Sequence, residues 1–177
     1  MRDELGDLLH HTSICLKSFV ELRGILDEIP KASFDQASFA NNIYFPATAN
    51  LTSPFAADKA RTHCTDIARD VNRLKFKFSK VMRTENLDLK GIDDAFKDLL
   101  DADGDFLMDF EKLLIDVDKE LRTIYELLGS TIDPSKKEEA WRRYEGLRTS
   151  LHSQHEELRA PLDRMRAAEF HLRKLLT

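Results

Sequence analysis

Histidine and carboxylate side chains are the groups in this sequence with the widest chemistry, because they bind metal ions and transfer protons near neutral pH. The 177 residues include six histidines. If the chain folds back near residues 87 and 131, His63 lies level with Glu111 and His152, so a mixed layer of these three is a candidate metal or proton-transfer site. The alternative is that these side chains form no common site, and that each is solvated or has its own hydrogen-bond partner. A di-iron bundle is excluded because the chain has no Glu-x-x-His pair.

Two arginine and histidine pairs form short motifs. Arg166 and His171 have the spacing Arg-x4-His, and Arg148 and His155 have the spacing Arg-x6-His. This resembles the Arg-x(4–6)-His motif of HEPN domains, which are small helical bundles that include metal-independent, dimeric ribonucleases. The resemblance implies a histidine as general base on a ribose hydroxyl and an arginine that stabilises phosphate charge. Ala167 departs from the family pattern, which has a polar residue directly after the arginine.

Covalent catalysis and nucleotide hydrolysis find no support in the sequence. No spacing places a serine or cysteine nucleophile beside a base, and the six scattered glycines form no phosphate-binding loop. Cys15 and Cys64 are too few and too far apart for a disulfide framework or a zinc site. Each lies on an apolar helical face, so we expect two buried thiols and no cofactor.

The elements that would position these residues are amphipathic helices, because apolar residues recur every three or four positions. Four stretches show this spacing: Leu5 to Ile29, about Pro54 to Arg83, Ile92 to Leu128, and Pro134 to Leu176. Proline and glycine mark their ends, with Pro30 after the first stretch and Gly129 after the third. We therefore predict four long helices.

Composition limits the class of protein and its partners. A chain with 42% hydrophobic and 33% charged residues is too apolar for disorder, and no apolar run approaches the roughly 18 residues of a membrane span. The net charge of −5 argues against nucleic-acid binding by the chain as a whole. The amino terminus is acidic and lacks an apolar stretch, which predicts a cytoplasmic protein. Neither a membrane nor a nucleic acid is an expected partner.

Four amphipathic helices bury their apolar stripes most simply in one shared core. We expect an all-α fold: an antiparallel up-down-up-down four-helix bundle, as a single domain over residues 1–177, with one long loop between helices 1 and 2. Helices 3 and 4 are the longest, and their overhanging ends offer a coiled-coil surface for a homodimer.

The predicted loop, from Lys31 to Ser53, is rich in aromatic residues and has only two charges. Long loops of this kind are uncommon in a compact domain and are often binding loops or packed satellites. Phe34, Phe39, Tyr44 and Phe45 therefore have two interpretations. They close one end or groove of the bundle, or they form a docking surface for a protein partner.

Charges separate onto two of the predicted helices. The second helix has eight bases and two acids from residue 59 to residue 83, whereas the third has eleven acids and three lysines from residue 93 to residue 120. One face of the second helix carries a basic stripe, Arg69, Arg73, Lys77, Lys80 and Arg83. One face of the third carries an acidic stripe, Asp94, Asp98, Asp101, Asp105 and Asp109. The stripes are either solvated faces that partly neutralise each other or binding surfaces for partners of opposite charge.

Asp103 does not fit the solvated face, because it lies on the apolar stripe of the third helix. A buried carboxylate without a partner is costly. We therefore expect Asp103 to meet Arg159 or Arg73, or to mark a break in the helix beside Gly104.

The favoured function is a non-catalytic helical bundle that binds a protein partner through the aromatic loop or through exposed helix faces. The alternative is a histidine-based enzyme, either a HEPN-like ribonuclease or a metal site in the bundle. The sequence identifies no partner, and fold alone assigns no function.

Overall fold

The structure is a computed structural model that describes residues 2–27, 29–51, 55–81, 89–129 and 133–175. The elements in chain order are α1 (Arg2–Leu26), a 3-10 turn (Lys31–Ser33), α2 (Gln36–Phe39), a π-helical segment (Ala40–Tyr44), α3 (Phe45–Leu51), α4 (Phe55–Val81), α5 (Leu89–Gly129) and α6 (Pro134–Leu175). No strand occurs in these described ranges. The all-α class is confirmed, and α1, α4, α5 and α6 coincide with the four predicted helices.

The prediction of a long loop from Lys31 to Ser53 is wrong, because the chain is helical from Gln36 to Leu51. The helical run begins with an N-cap. The backbone N–H of Ser38 donates a hydrogen bond of 2.8 Å to the carboxylate of Asp35. This contact satisfies one of the amide groups that have no partner in the first turn of a helix.

The same helical run has an apolar face with a spacing of four residues. Phe39, Ile43 and Ala47 are all fully buried, so this face packs on the core although the segment between them is π-helical. Pro46 lies in the first turn of α3, directly after that segment. Since proline has no backbone N–H, it cannot continue the regular hydrogen-bond ladder, and a local π-helical turn accommodates this change.

The described residues group into two compact units. Unit 1 falls within Met1–Cys15, Phe55–Asp109 and Leu158–Thr177, and unit 2 within Leu16–Pro54 and Phe110–Glu157. The core of unit 1 contains Leu5, Leu8, Ile67, Val71, Ala95, Phe96, Leu99, Ala102, Met165, Ala168 and Leu172. The buried residues of unit 2 include Phe19, Leu22, Leu26, Phe34, Phe39, Ile43, Leu113, Val117, Leu121, Ile124, Trp141, Tyr144 and Leu151.

The length and hydropathy of a helix determine whether it can span a membrane. Among the described residues, no helix has a stretch apolar and long enough to cross a bilayer.

Candidate partner-binding site

Two of the four aromatic candidates lie in the interior of unit 2. Phe34 and Phe39 are 1% and 0% exposed. The ring of Phe34 packs edge-on against Trp141, with 5.0 Å between centroids, and lies 5.2 Å from the ring of Tyr144. Phe39 meets the same Tyr144 ring edge-on at 6.3 Å. These rings hold the segment around α2 against α6, and aromatic pairs of this geometry stabilise a core beyond their buried area.

Tyr144 also ties α6 to the end of α1. Its hydroxyl donates a hydrogen bond to the backbone carbonyl of Leu26, the last residue of α1. Carbonyls in the last turn have no partner within their own helix, so this contact supplies one. Arg148 lies over the Tyr144 ring and forms an ion pair of 3.0 Å with Asp27. The interior aromatics and these polar contacts fix the surface on which the remaining two candidates lie.

The other two aromatic candidates form a surface cluster. The half-buried ring of Tyr44 is stacked on Tyr125 of α5, with 4.7 Å between centroids and 14° between planes. Phe45 meets Tyr44 edge-on at 5.6 Å and remains 56% exposed. We call Tyr44, Phe45 and Tyr125 the aromatic patch. The sequence does not indicate Tyr125 as a member, because its contact with Tyr44 depends on the helical course of residues 36–51.

The segment that carries Tyr44 and Phe45 is uncharged, whereas exposed charged residues of α5, Arg122 and Glu126, lie beside Tyr125 in the sequence. Residues 36–51 contain no charged side chain. Asn41 and Asn42 are exposed, and the amide of Asn42 donates to the carbonyl of Ser38 at 3.0 Å. Because this segment carries no charge, an apolar partner surface that covers Phe45 desolvates no charged side chain of residues 36–51.

A small cleft opens at the amino-terminal end of the same helical run. Its volume is about 270 Å³, and it is lined by Asp35, Gln36, Leu127, Leu128, Asp133, Pro134 and Lys137. Two of these residues are N-caps. The backbone N–H of Ser38 lowers the pKa of Asp35, and the hydroxyl and backbone N–H of Ser135 lower the pKa of Asp133. Both carboxylates therefore serve helix starts and stay ionised near neutral pH.

The described part of the basic stripe is engaged with acids of its own helix. A guanidinium nitrogen of Arg69 lies 2.7 Å from a carboxylate oxygen of Asp66, and one of Arg73 lies 3.6 Å from a carboxylate oxygen of Asp70. All four residues belong to α4, and exposed pairs of this kind contribute little to stability. The remaining members fall outside the described side chains: Lys77, Lys80 and Arg83.

The acidic stripe lies on the exposed face of α5, as predicted for a solvated stripe. Asp105 forms an ion pair with Arg164 of α6. Beside it, a groove of about 480 Å³ is lined by Ala95, Asp98, Asp101, Arg164, Ala167, Ala168 and His171. The groove belongs to unit 1, whereas the aromatic patch belongs to unit 2.

The predictions for Asp103 are wrong. α5 is unbroken from Leu89 to Gly129. Arg73 and Arg159 pair instead with carboxylates of their own helices, at 3.6 and 3.7 Å. Asp103 is completely buried, and within the described residues neither of its carboxyl oxygens has a hydrogen bond of ordinary geometry. The fold thus contains a buried carboxyl with no cation paired to it among the described residues, although burying an unpaired carboxylate costs free energy.

Neutral thiols, rather than arginines, are the polar neighbours of Asp103. Burial raises the pKa of the Asp103 carboxyl, and the thiol of Cys64 partly opposes this shift. Burial, and then the nearby Asp103, raise the pKa of Cys64 to about 12. Burial raises the pKa of Cys15 to about 11, with a smaller contribution from Asp103. The prediction of a buried thiol is confirmed for Cys15, whereas Cys64 is half-buried.

The three residues of the predicted metal layer have other neighbours. His63 of unit 1 stacks on His11 at 4.8 Å. In unit 2, the Nε2 atom of His152 lies 3.7 Å from Asp27. Glu111 also belongs to unit 2. Across the described ranges of the chain, no group of three or more His, Cys, Asp or Glu side chains is arranged to hold a metal ion.

Three residues of the arginine and histidine motifs contact side chains outside the motifs. Besides the pairing of Arg148 with Asp27, the ring of His155 lies parallel to that of Phe19, with 6.0 Å between centroids. Arg166 pairs with an aspartate of its own helix at 3.4 Å. His171 is exposed at the groove of unit 1.

Comparisons with protein families, curated proteins and solved structures give no match to this chain.

Proposed function

We propose that this chain is a non-catalytic protein-interaction module, of an adaptor, scaffold or regulatory kind, that binds a protein partner through the aromatic patch. Phe45 is the anchor, and Tyr44 and Tyr125 support it. The proposal includes a cytoplasmic location, a single domain over residues 1–177 and an antiparallel up-down-up-down arrangement of α1, α4, α5 and α6.

The exposure of Phe45 is the observation that carries the proposal. Burying a phenylalanine side chain contributes about 1.5–3 kcal/mol. In the same segment Phe39 is fully buried, whereas Phe45 is 56% exposed. The fold therefore leaves most of this contribution unused at Phe45, and an apolar partner surface would recover it.

Rigid support makes Phe45 suitable as an anchor. The backbone around it is held by the N-cap at Asp35 and by the burial of Ile43 and Ala47 on the opposite face. Tyr44 is stacked on Tyr125, so the neighbouring ring is also held in place. A side chain that is already positioned loses less conformational entropy on binding, which favours affinity.

The surface also indicates the chemistry of the partner. Aromatic side chains in a setting that excludes charge are typical of the energetic centre of protein interfaces. Residues 36–51 carry no charge, so this segment does not attract a partner by opposite charge. We expect an apolar partner surface over Phe45.

The experiment is site-specific photocrosslinking with a matched control. Phe45 and, separately, Phe170 of α6 are replaced by the photoreactive residue benzoylphenylalanine. Phe170 is a suitable control because it is 60% exposed, close to the 56% of Phe45, and lies in unit 1. We expect a protein that crosslinks at position 45 and not at position 170.

Binding is then measured with the purified crosslinked protein. Removal of a central aromatic anchor costs at least about 2 kcal/mol, which is roughly 30-fold in affinity. Phe45→Ser should weaken binding by about this factor, and Phe170→Ser should leave it unchanged. Equal affinities for wild type and Phe45→Ser would contradict the proposal.

The partner could be a second copy of this chain, which light scattering after size-exclusion chromatography detects. A dimer that Phe45→Ser dissociates would make the aromatic patch a homodimer interface. The histidine-based alternative makes a different prediction: wild-type protein cleaves RNA, and His171→Ala or His155→Ala abolishes the cleavage.

A further inference from the structure

Unit 1 contains a cluster of imidazole rings that the proposed function does not use. His11 of α1 lies parallel to His63 of α4, with 4.8 Å between ring centroids and 14° between planes. The ring centroid of His10 lies 5.7 Å from that of His11. Lys59 precedes His63 by four residues, which places both side chains on the same face of α4. We call these four residues the histidine cluster.

The basic neighbours of His11 outnumber the acids that act on it. The pKa of His11 is lowered, first by burial and then by His63, Lys59 and His10. Asp7, four residues earlier on α1, is the carboxylate that opposes the shift. Three basic neighbours of His11 are thus set against one acid, in a chain whose net charge is −5.

The chemistry of these groups fits an oxyanion better than a metal. Within the described residues, no set of histidine, cysteine and acidic side chains is placed to hold a metal ion. Protonated imidazoles and an ammonium group supply N–H donors only, and charged donors form the strongest hydrogen bonds with phosphate oxygens. His10 and Lys59 are exposed, and His11 and His63 are half-buried, so the cluster is open to solvent.

We propose that the histidine cluster binds a phosphate group. A phosphate between the ring edges and the ammonium group accepts their hydrogen bonds and offsets the repulsion among them. Binding therefore favours protonation of His11. This site is in unit 1, so it does not depend on the aromatic patch of unit 2.

Nuclear magnetic resonance of the histidine side chains tests the proposal. The full chain, treated with a chelator to remove trace metal, is titrated with pH in chloride and in inorganic phosphate at equal ionic strength. We expect phosphate to raise the pKa of His11 and to do so with a saturable dependence on concentration. Chloride should not have this effect, because it is a weak and singly charged acceptor.

Variants distinguish phosphate binding at the histidine cluster from non-specific effects of anions on the protein. Lys59→Gln and His63→Gln each remove one charged donor, and we expect each to raise the dissociation constant for inorganic phosphate about tenfold. His171→Gln is the matched control, because His171 is an exposed histidine of unit 1 outside the cluster. Glutamine favours helices, and the exposed position of Lys59 makes Lys59→Gln a variant that retains the fold.

A second titration with phosphoserine separates two sources of the phosphate group. If phosphoserine binds more tightly than inorganic phosphate, the ligand of the cluster is a phosphorylated molecule. If it binds equally or more weakly, the ligand is free phosphate. The proposal is overturned if His11 titrates identically in phosphate and chloride. It is also overturned if Lys59→Gln and His63→Gln bind phosphate as tightly as the His171→Gln control.

Discussion

Asp103 of α5 faces the thiol of Cys64 of α4 in unit 1, and among the described side chains no opposite charge acts on either group. The carboxyl is completely buried. Because a charged carboxylate in such a place is far more costly than a neutral carboxylic acid, the fold favours the protonated form. Asp103 therefore links the stability of this protein to pH.

We expect stability to fall as pH rises because of Asp103. Its pKa in the folded state is raised, so the folded chain binds this proton more tightly than the unfolded chain, whose aspartates titrate near pH 3.9. The contribution of Asp103 to stability is present below the unfolded pKa and is lost as pH rises through the higher, folded pKa. Asp103→Asn should therefore stabilise the protein by about 1–3 kcal/mol at pH 8 and by much less at pH 4.

Urea unfolding of wild type and Asp103→Asn at the two pH values measures this difference. Asp101→Asn is the matched control, because Asp101 is an exposed aspartate two residues away on α5. The same difference between wild type and Asp103→Asn at pH 4 and pH 8 would show that folding does not raise the pKa of Asp103.

The pH dependence of the His11 and His63 stack has the opposite sign. The pKa of His11 is lowered from 6.5 by burial and then by the neighbouring bases. The unfolded chain therefore binds this proton more tightly, and stability is lost as pH falls through 6.5 towards the lower folded pKa. His11→Gln should remove part of the acid-induced fall in melting temperature between pH 7.5 and pH 5.

Thermal melts in chloride buffers measure this fall for wild type and variant. His171→Gln is again the control, and it should melt with the wild-type pH profile. If His11→Gln and wild type lose the same number of degrees on acidification, the stack does not contribute to the acid sensitivity.

Both cysteines should react slowly with thiol reagents. The pKa of Cys64 is raised to about 12 and that of Cys15 to about 11. A free thiol has a pKa near 8.5, and the thiolate is the nucleophile, so at pH 8 folded Cys15 should be alkylated about 200-fold and folded Cys64 about 2,000-fold more slowly than an unfolded cysteine. Iodoacetamide labelling followed by mass spectrometry, in buffer and in urea, gives the two rates for each residue.

Burial is the main cause of the raised pKa of Cys64, and Asp103 adds to it. Asp103→Asn should accelerate the labelling of Cys64 at a pH where Asp103 is ionised, because it removes the negative charge beside this thiol. An equal rate in wild type and Asp103→Asn above pH 8 would mean that the carboxyl does not act on Cys64.

Phe39 and Phe45 should respond differently to truncation, although they are six residues apart. Phe39→Ala removes a fully buried ring and should lower the free energy of unfolding by about 3–5 kcal/mol. Phe45→Ala removes a ring that is 56% exposed and should change it by about 0.5 kcal/mol or less. Urea unfolding followed by circular dichroism measures both. A large loss of stability in Phe45→Ala would remove the aromatic patch as a free anchor.

Local sequence patterns were sufficient for the four long helices. Periodic apolar residues predicted α1, α4, α5 and α6, because the spacing of three or four residues is set by the helix itself. The run from Gln36 to Leu51 has the same signals, an N-cap at Asp35 and apolar residues at intervals of four. Its exposed side carries no charge and includes alanine, asparagine and Phe45, so the pattern of apolar and charged faces that identifies an amphipathic helix is absent.

Residue spacing is enough to predict the all-α class, the positions of the long helices and the exposed acidic stripe of α5. It does not predict which side chains meet in the folded chain: Tyr44 with Tyr125, Asp103 with Cys64, and His11 with His63. Helical periodicity determines the face on which a residue lies, but contacts between helices depend on the axial register and rotation of each helix. Those are set by the packing of all the side chains together, and a shift of one turn changes every neighbour.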